Sequence, residues 1–130
     1  MEQRYLLDAN TVIYYTKNTL PHKAALFLDE QIPKGIYLSI IVRIELLGWI
    51  FPTPEAEAII NEFVNSCIVI KLRNQIVAKT IEIRKKYKIK LPDAIIAATA
   101  LVHDMTLISR NDDDFKRITD LKYLNSFTDL

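Results

Sequence analysis

The 130-residue chain reads as an α/β protein, a three-layer sandwich in which a central, mostly parallel five-stranded sheet is flanked by helices. Two observations lead there. Short apolar or β-branched runs alternate along the chain with segments whose apolar residues recur at helical spacing. Several of the strand-like runs are apolar throughout, as strands covered on both faces are, instead of alternating with polar residues.

Arg4-Tyr5-Leu6-Leu7 is the first strand. Short helices follow over Thr11 to Lys17 and Pro21 to Gln31, the second with Ala24, Ala25 and Leu28 on one side. Gly35 releases a second strand, Ile36 to Ser39. The nearly continuous apolar segment Ile40 to Phe51 is too long for an ordinary strand and reads as a buried helix. Thr53-Pro54-Glu55 is a helix start: a capping hydroxyl, proline at the first helical position, then an acid. Ala56, Ile59, Ile60, Phe63 and Val64 continue it at helical spacing. Cys67 to Leu72 is a β-branched strand, and Asn74 the expected cap of a helix with Ile76, Val77, Thr80 and Ile81 inward. Pro92 opens another helix, with Ile95, Ala98, Leu101 and Val102 inward. Thr106 to Ser109 is a strand, Asp112 to Ile118 a short helix, and Lys122 to Leu124 a last strand. Nothing resembling a repeat or linker divides the chain, so one domain over residues 1–130 is expected.

Composition narrows the function only by exclusion. Half the residues are hydrophobic and only two are glycine, which describes an ordered chain with a real core. The lone Cys67 rules out an internal disulfide framework; it reads as a small buried hydrophobe and suits a reducing cytoplasm. No apolar run reaches the roughly 18–20 residues of a membrane span, and the opening residues do not read as a signal peptide. With 17 basic and 16 acidic residues the net charge is +1, so a nucleic acid would have to be held by local geometry and bound metal.

Four carboxylates stand out. In open α/β sheets ligands bind beyond the carboxyl ends of the strands, near a switch in strand order. Asp8 directly follows the first strand and Asn111 to Asp114 follow the fourth, so both share one sheet edge if those strands are neighbours. Asp8 and Asn10 would serve equally as helix caps. Glu45 and Arg43 are the only charged residues between Ile36 and Phe51. Residues two apart do not face each other on a helix. Glu45 therefore needs a metal, an arginine from elsewhere, or the rim of a cleft. Asp93 lies in the first helical turn after Pro92, where the helix dipole favours an acid with or without a function. Within Asn111-Asp112-Asp113-Asp114, Asp112 and Asp113 read as solvated loop residues. Carboxylates gathered without a lysine or histidine must bind a cation or protonate. Oxygen ligands of this kind select Mg²⁺ or Mn²⁺ over zinc.

Four segments together resemble the PIN-domain family, and within it the VapC toxins of toxin–antitoxin pairs. They are Leu6-Leu7-Asp8-Ala9-Asn10-Thr11, Ser39 with Glu45-Leu46, Leu91-Pro92-Asp93-Ala94 through Ala100, and Leu107-Ile108-Ser109-Arg110-Asn111 with Asp114-Phe115. The resemblance implies a PIN-like sandwich and a magnesium-dependent endoribonuclease that hydrolyses phosphodiesters through a metal-activated water. It makes Asp8, Glu45, Asp93 and Asp114 the catalytic and metal-binding residues, with Asn111 an alternative for the fourth position. Asn10, Ser39 and Asn111 become supporting residues, and Arg110 and Lys86 contacts to RNA. It further implies a small VapB-like antitoxin as partner, a homodimer, and a cytoplasmic location. Ala9, Val42 and Ser109 depart from threonines common in the family. Two alternatives stand beside this reading. One is a PIN-type RNA- or protein-binding module that does not cut. The other is a haloacid-dehalogenase-type phosphohydrolase with Asp8 as nucleophile, although Asn10 occupies the place of its second aspartate.

Overall fold

The computed structural model describes residues 2–130; Met1 lies outside them. Among the described residues five strands form one sheet: β1 (Tyr5–Leu7), β2 (Tyr37–Ser39), β3 (Ile68–Ile70), β4 (Thr106–Ser109) and β5 (Tyr123–Asn125). Their order is β3-β2-β1-β4-β5. Every neighbouring pair is parallel, so the sheet is wholly parallel where a mostly parallel one was expected. Seven α-helices accompany it among the described residues: α1 (Ala9–Thr16), α2 (His22–Gln31), α3 (Ile40–Leu47), α4 (Pro54–Ser66), α5 (Asn74–Lys86), α6 (Leu91–His103) and α7 (Asp112–Phe115).

The connections from β1 through β2 to β3 step one way across the sheet, and the connection from β3 to β4 returns across it. Right-handed crossovers then place α1 to α4 and the α5–α6 pair on opposite faces. Leu6, Leu7, Leu38, Leu107 and Ile108 are fully buried in the strands between those layers, and Val12, Leu28, Val42, Ile96 and Phe115 reach the same core from the helices. No described helix is long and apolar enough to cross a membrane.

Several local expectations change. The segment after β2 does not stay helical to Phe51: α3 stops at Leu47, and the amide of Gly48 closes the last turn on the Ile44 carbonyl at 2.8 Å. A Cβ at Gly48 would meet that same oxygen at 2.8 Å, so glycine permits the exit. Nor is the segment buried. Val42 and Leu46 face the core, but Ile44 is 60% exposed, Trp49 50% and Ile50 99%. In α5 the inward face is Ile76, Thr80 and Ile83, while Val77 and Ile81 are turned outward. Arg73, not Asn74, occupies its capping position. Helix α6 is buried from Ala94 to Ala100, more completely than one stripe, because small alanines let it lie between neighbours. Leu101 and Val102, expected inward, are only half-buried. Edge strand β3 is short and Cys67 just before it is half-buried, which still pushes its thiol up to about 11. The start at Thr53 is as read, its hydroxyl accepting from the Ala56 amide at 3.1 Å.

Candidate active site

Strands β1 and β4 are neighbours, and the chain leaves them in opposite directions across the sheet, toward β2 and β5. This is the switch point at which a crevice opens beyond the carboxyl ends of the strands. Asp8 lies there, 6% exposed. Its Oδ1 caps α1 by accepting from the Ala9 amide at 2.8 Å. Its Oδ2 accepts from the Ser109 hydroxyl at 2.7 Å and, more loosely, from Asn10 Nδ2 at 3.3 Å. Capping and membership of the crevice thus coexist in one residue. The Thr11 hydroxyl donates to the Ile108 carbonyl at 3.2 Å, pinning the start of α1 to β4.

The other acids arrive from three separate elements. Asp93 sits half-buried in the first turn of α6, after Pro92. Glu45 projects from α3, whose start is capped by buried Ser39, its Oγ accepting from the Ile41 amide at 3.2 Å. Glu45 itself is exposed, so the rim position is the one it takes, and no arginine is needed to compensate a buried charge. Asp114 belongs to α7 and is locked to Asn111 by a reciprocal pair of bonds. The amide of Asp114 donates to Asn111 Oδ1 at 3.3 Å, and Asn111 Nδ2 donates to Asp114 Oδ2 at 2.9 Å. Asn111 therefore holds the acid in place, and Asp114 is the one directed at the other carboxylates.

Their electrostatics show that the four share one field. Burial raises the pKa of Asp8, and Asp114 adds to the rise, while the bonds from Ser109 and Ala9 oppose it. Asp93 is pushed up to about 7, first by burial, then by the facing Asp114 carboxyl, with Asp8 and Glu45 contributing. Glu45 is raised by desolvation on its inner side and by Asp8. The Arg117 guanidinium, 3.6 Å from Asp114 Oδ1, is the only lysine or arginine ion-paired to any of them among the described residues. Such a set of hard oxygen donors in mutual repulsion fits Mg²⁺ or Mn²⁺ chemically. Among the described residues no three such side chains stand close enough together to hold a metal ion as they are.

The remaining expected residues are placed as follows. Asn10 accepts from the Arg110 amide at 3.3 Å and links Asp8 to Ser109. Arg110 is exposed beside the crevice, its guanidinium carbon 3.7 Å from the Phe127 ring centre and 5.5 Å from that of Tyr14. Lys86 stands apart from the acids, at a recess it shares with Ile83, Leu101, Ile118 and Thr119. Asp112, read as a solvated loop residue, is instead tied down: Tyr123 and Asn125 donate to its Oδ1 at 2.7 and 2.9 Å, which lowers its pKa. Ser109 was noted from sequence only as a departure from threonine, yet it is the donor that orients Asp8.

The PIN domain family model matches residues 5–121, a span that includes all four carboxylates. The chain belongs to the PIN domain family. No curated protein matches it significantly in sequence. Solved structures match it in fold. VapBC-1 from nontypeable Haemophilus influenzae is 27% identical, with 95% of this chain and 98% of that one covered and a TM-score of 0.80. A toxin–antitoxin complex from Klebsiella pneumoniae is 28% identical over 95% and 98%, with a TM-score of 0.75. DNA-bound VapBC from Salmonella typhimurium, at 20% identity and a TM-score of 0.83 over 96% and 99%, shares the fold. The PIN sandwich expected from sequence is thus the observed fold, with Asp8 at its β1–β4 switch point.

Proposed function

We propose that this PIN domain is a metal-dependent endoribonuclease and the toxin of a VapBC-type toxin–antitoxin pair. The observation that carries the proposal is the gathering of Asp8, Glu45, Asp93 and Asp114 from four elements near the β1–β4 switch point, where burial and neighbouring carboxylates raise the pKa values of Asp8, Glu45 and Asp93. Such repulsion persists in a fold when a cation relieves it. Asp8, Asp93 and Asp114 would hold Mg²⁺ or Mn²⁺, directly or through water. Bound there, the ion supplies an acidified water and stabilises charge developing on phosphorus.

The protein's own groups do the positioning. Ser109 and Asn10 fix the rotamer of Asp8, and Asn111 fixes that of Asp114. Glu45, exposed on α3, would bind a second ion or orient the attacking water, and Ser39 caps the start of that helix. Arg110, stacked on Phe127 and adjoining the crevice, would hold a backbone phosphate of the RNA. Lys86 would serve only as a contact further along the strand.

The partner reading has its own support. Ile13, Trp49, Ile50, Phe51 and Ile59 line an apolar cleft of about 310 Å³, with Ile50 almost fully exposed. Exposed apolar surface of that kind marks a protein interface. Since similar solved structures are toxin–antitoxin complexes, a small antitoxin is the occupant we assign to it. A homodimer is proposed on the resemblance to VapC toxins alone.

Incubating the purified protein with single-stranded and structured RNA, in Mg²⁺ or in EDTA, tests the enzyme reading. Cleavage that needs the metal and is lost in Asp8→Asn is expected. RNA retained on the protein without cleavage in either condition would favour the binding module instead. Membership of the PIN family sets the haloacid-dehalogenase reading aside.

A further inference from the structure

Arg117 lies three residues beyond Asp114 and outside every motif that pointed to the site, yet its side chain reaches three groups at once. Its guanidinium is 3.6 Å from Asp114 Oδ1, donates to the main-chain carbonyl of Lys88, and lies 5.7 Å from the centre of the Tyr87 ring. Tyr87 and Lys88 belong to the short link between α5 and α6, and that link leads directly to Asp93 in the first turn of α6. A second tie joins the same two segments. The Tyr87 hydroxyl accepts from the Thr119 amide at 3.0 Å and lies 3.0 Å from the Thr119 hydroxyl.

The two carboxylate-bearing elements, α6 and α7, are therefore clasped together beside the crevice. Asp114 takes the ion pair at one end of this clasp, and Asp93 lies in the first helical turn that the clasped link leads into at the other. Their spacing is thus set by whatever fixes residues 87–88 against residues 117–119. We propose that Arg117, with Tyr87, is a positioning residue for the metal centre: it holds the Asp93 and Asp114 carboxylates at the separation that an Mg²⁺ or Mn²⁺ ion requires. This rests on the metal-dependent reading above.

A planar guanidinium suits the task, since one fork can meet a carboxylate and a carbonyl together, whereas a lysine offers a point charge. Partners of ligands behave in this way generally: removing one costs about 10–100-fold in metal affinity while the ligands themselves remain. Arg117 is partly exposed and its ion pair is long, so deleting it leaves the buried core intact.

The test is Mn²⁺ binding to the protein without RNA, followed by calorimetry for wild type, Arg117→Met, Arg117→Lys, Tyr87→Phe and Asp93→Asn. Circular dichroism and melting temperature serve as folding controls. Expected are folded variants in which Arg117→Met weakens Mn²⁺ by at least about tenfold. Arg117→Lys should recover it only in part, and Tyr87→Phe should show a smaller loss. Unchanged Mn²⁺ affinity in folded Arg117→Met, with Asp93→Asn no longer binding, would overturn the clasp and leave the metal reading standing. Arg117→Met that fails to fold, with Arg117→Lys and Tyr87→Phe folded and binding like wild type, would overturn it as well. A wild-type protein that binds no Mn²⁺ would overturn both.

Discussion

The Ser109 hydroxyl donates to Asp8 Oδ2 at 2.7 Å, joining the end of β4 to the end of β1 across 101 residues of sequence. Both side chains are buried, so neither can exchange this bond for water. Ser109→Ala should therefore cost about 1–3 kcal/mol of stability, the usual consequence of leaving a buried polar group unpaired. It should also lower RNA cleavage about 10–100-fold by freeing Asp8 to rotate. Ser109→Thr should keep most of both. Chemical denaturation and initial cleavage rates of the two variants decide this.

Metal-free protein should become less stable with rising pH because of Asp93. Its carboxyl is pushed up to about 7, so the folded chain holds a proton there that the unfolded chain has already lost. The folded state is favoured below the ordinary carboxylate range, and that advantage disappears as pH climbs through about 7. Asp8 and Glu45 shift the same way. The melting temperature of wild type relative to Asp93→Asn should fall between pH 4 and 8 in EDTA. Mg²⁺ should restore it most at the alkaline end, since the ion competes with protons. A difference that does not vary with pH would contradict the crowding of these acids.

By the same reasoning, activity and stability should part company. Asp93→Asn removes one charge from a repelling set. It should melt at or above the wild-type temperature in EDTA at pH 8 while losing cleavage. Loss of both folding and cleavage would make Asp93 structural instead.

The exposed apolar cleft should be separable from the chemistry. Ile50 is 99% exposed, so Ile50→Asp has nothing to disrupt within the fold. Cleavage should be unchanged, while inhibition by the cognate antitoxin weakens by about tenfold or more, as expected for a buried apolar anchor of an interface. Titrating the antitoxin into both proteins under cleavage conditions measures it. Equal inhibition would move the partner to another face.

Features written into contiguous residues were legible before the structure. The β4 strand, the Thr53-Pro54 start and the wholly apolar strands of a covered parallel sheet all depend on near neighbours. Adjacency of β1 and β4 was an assumption, and it is what carried Asp8 and the Asn111–Asp114 turn to one edge. Exposure was less legible. The apolar run through α3 looked like core because composition cannot tell a buried face from a docking face, and Trp49 and Ile50 prove to lie outside. Long-range partners were invisible: Ser109 needs Asp8 from another strand, Asp112 needs Tyr123 and Asn125, and Arg117 needs the link before α6. Each looked ordinary in its own neighbourhood.

Asp8, Asp93 and Asp114 are proposed here as the seat of a divalent ion at the β1–β4 switch point. A crystal soaked in Mn²⁺, with diffraction collected for anomalous signal, locates any such ion. A peak is expected within water-bridged reach of those three carboxylates, absent from crystals of Asp93→Asn. No peak in that crevice at a Mn²⁺ concentration that supports cleavage, or a peak held by other residues, would contradict the proposal.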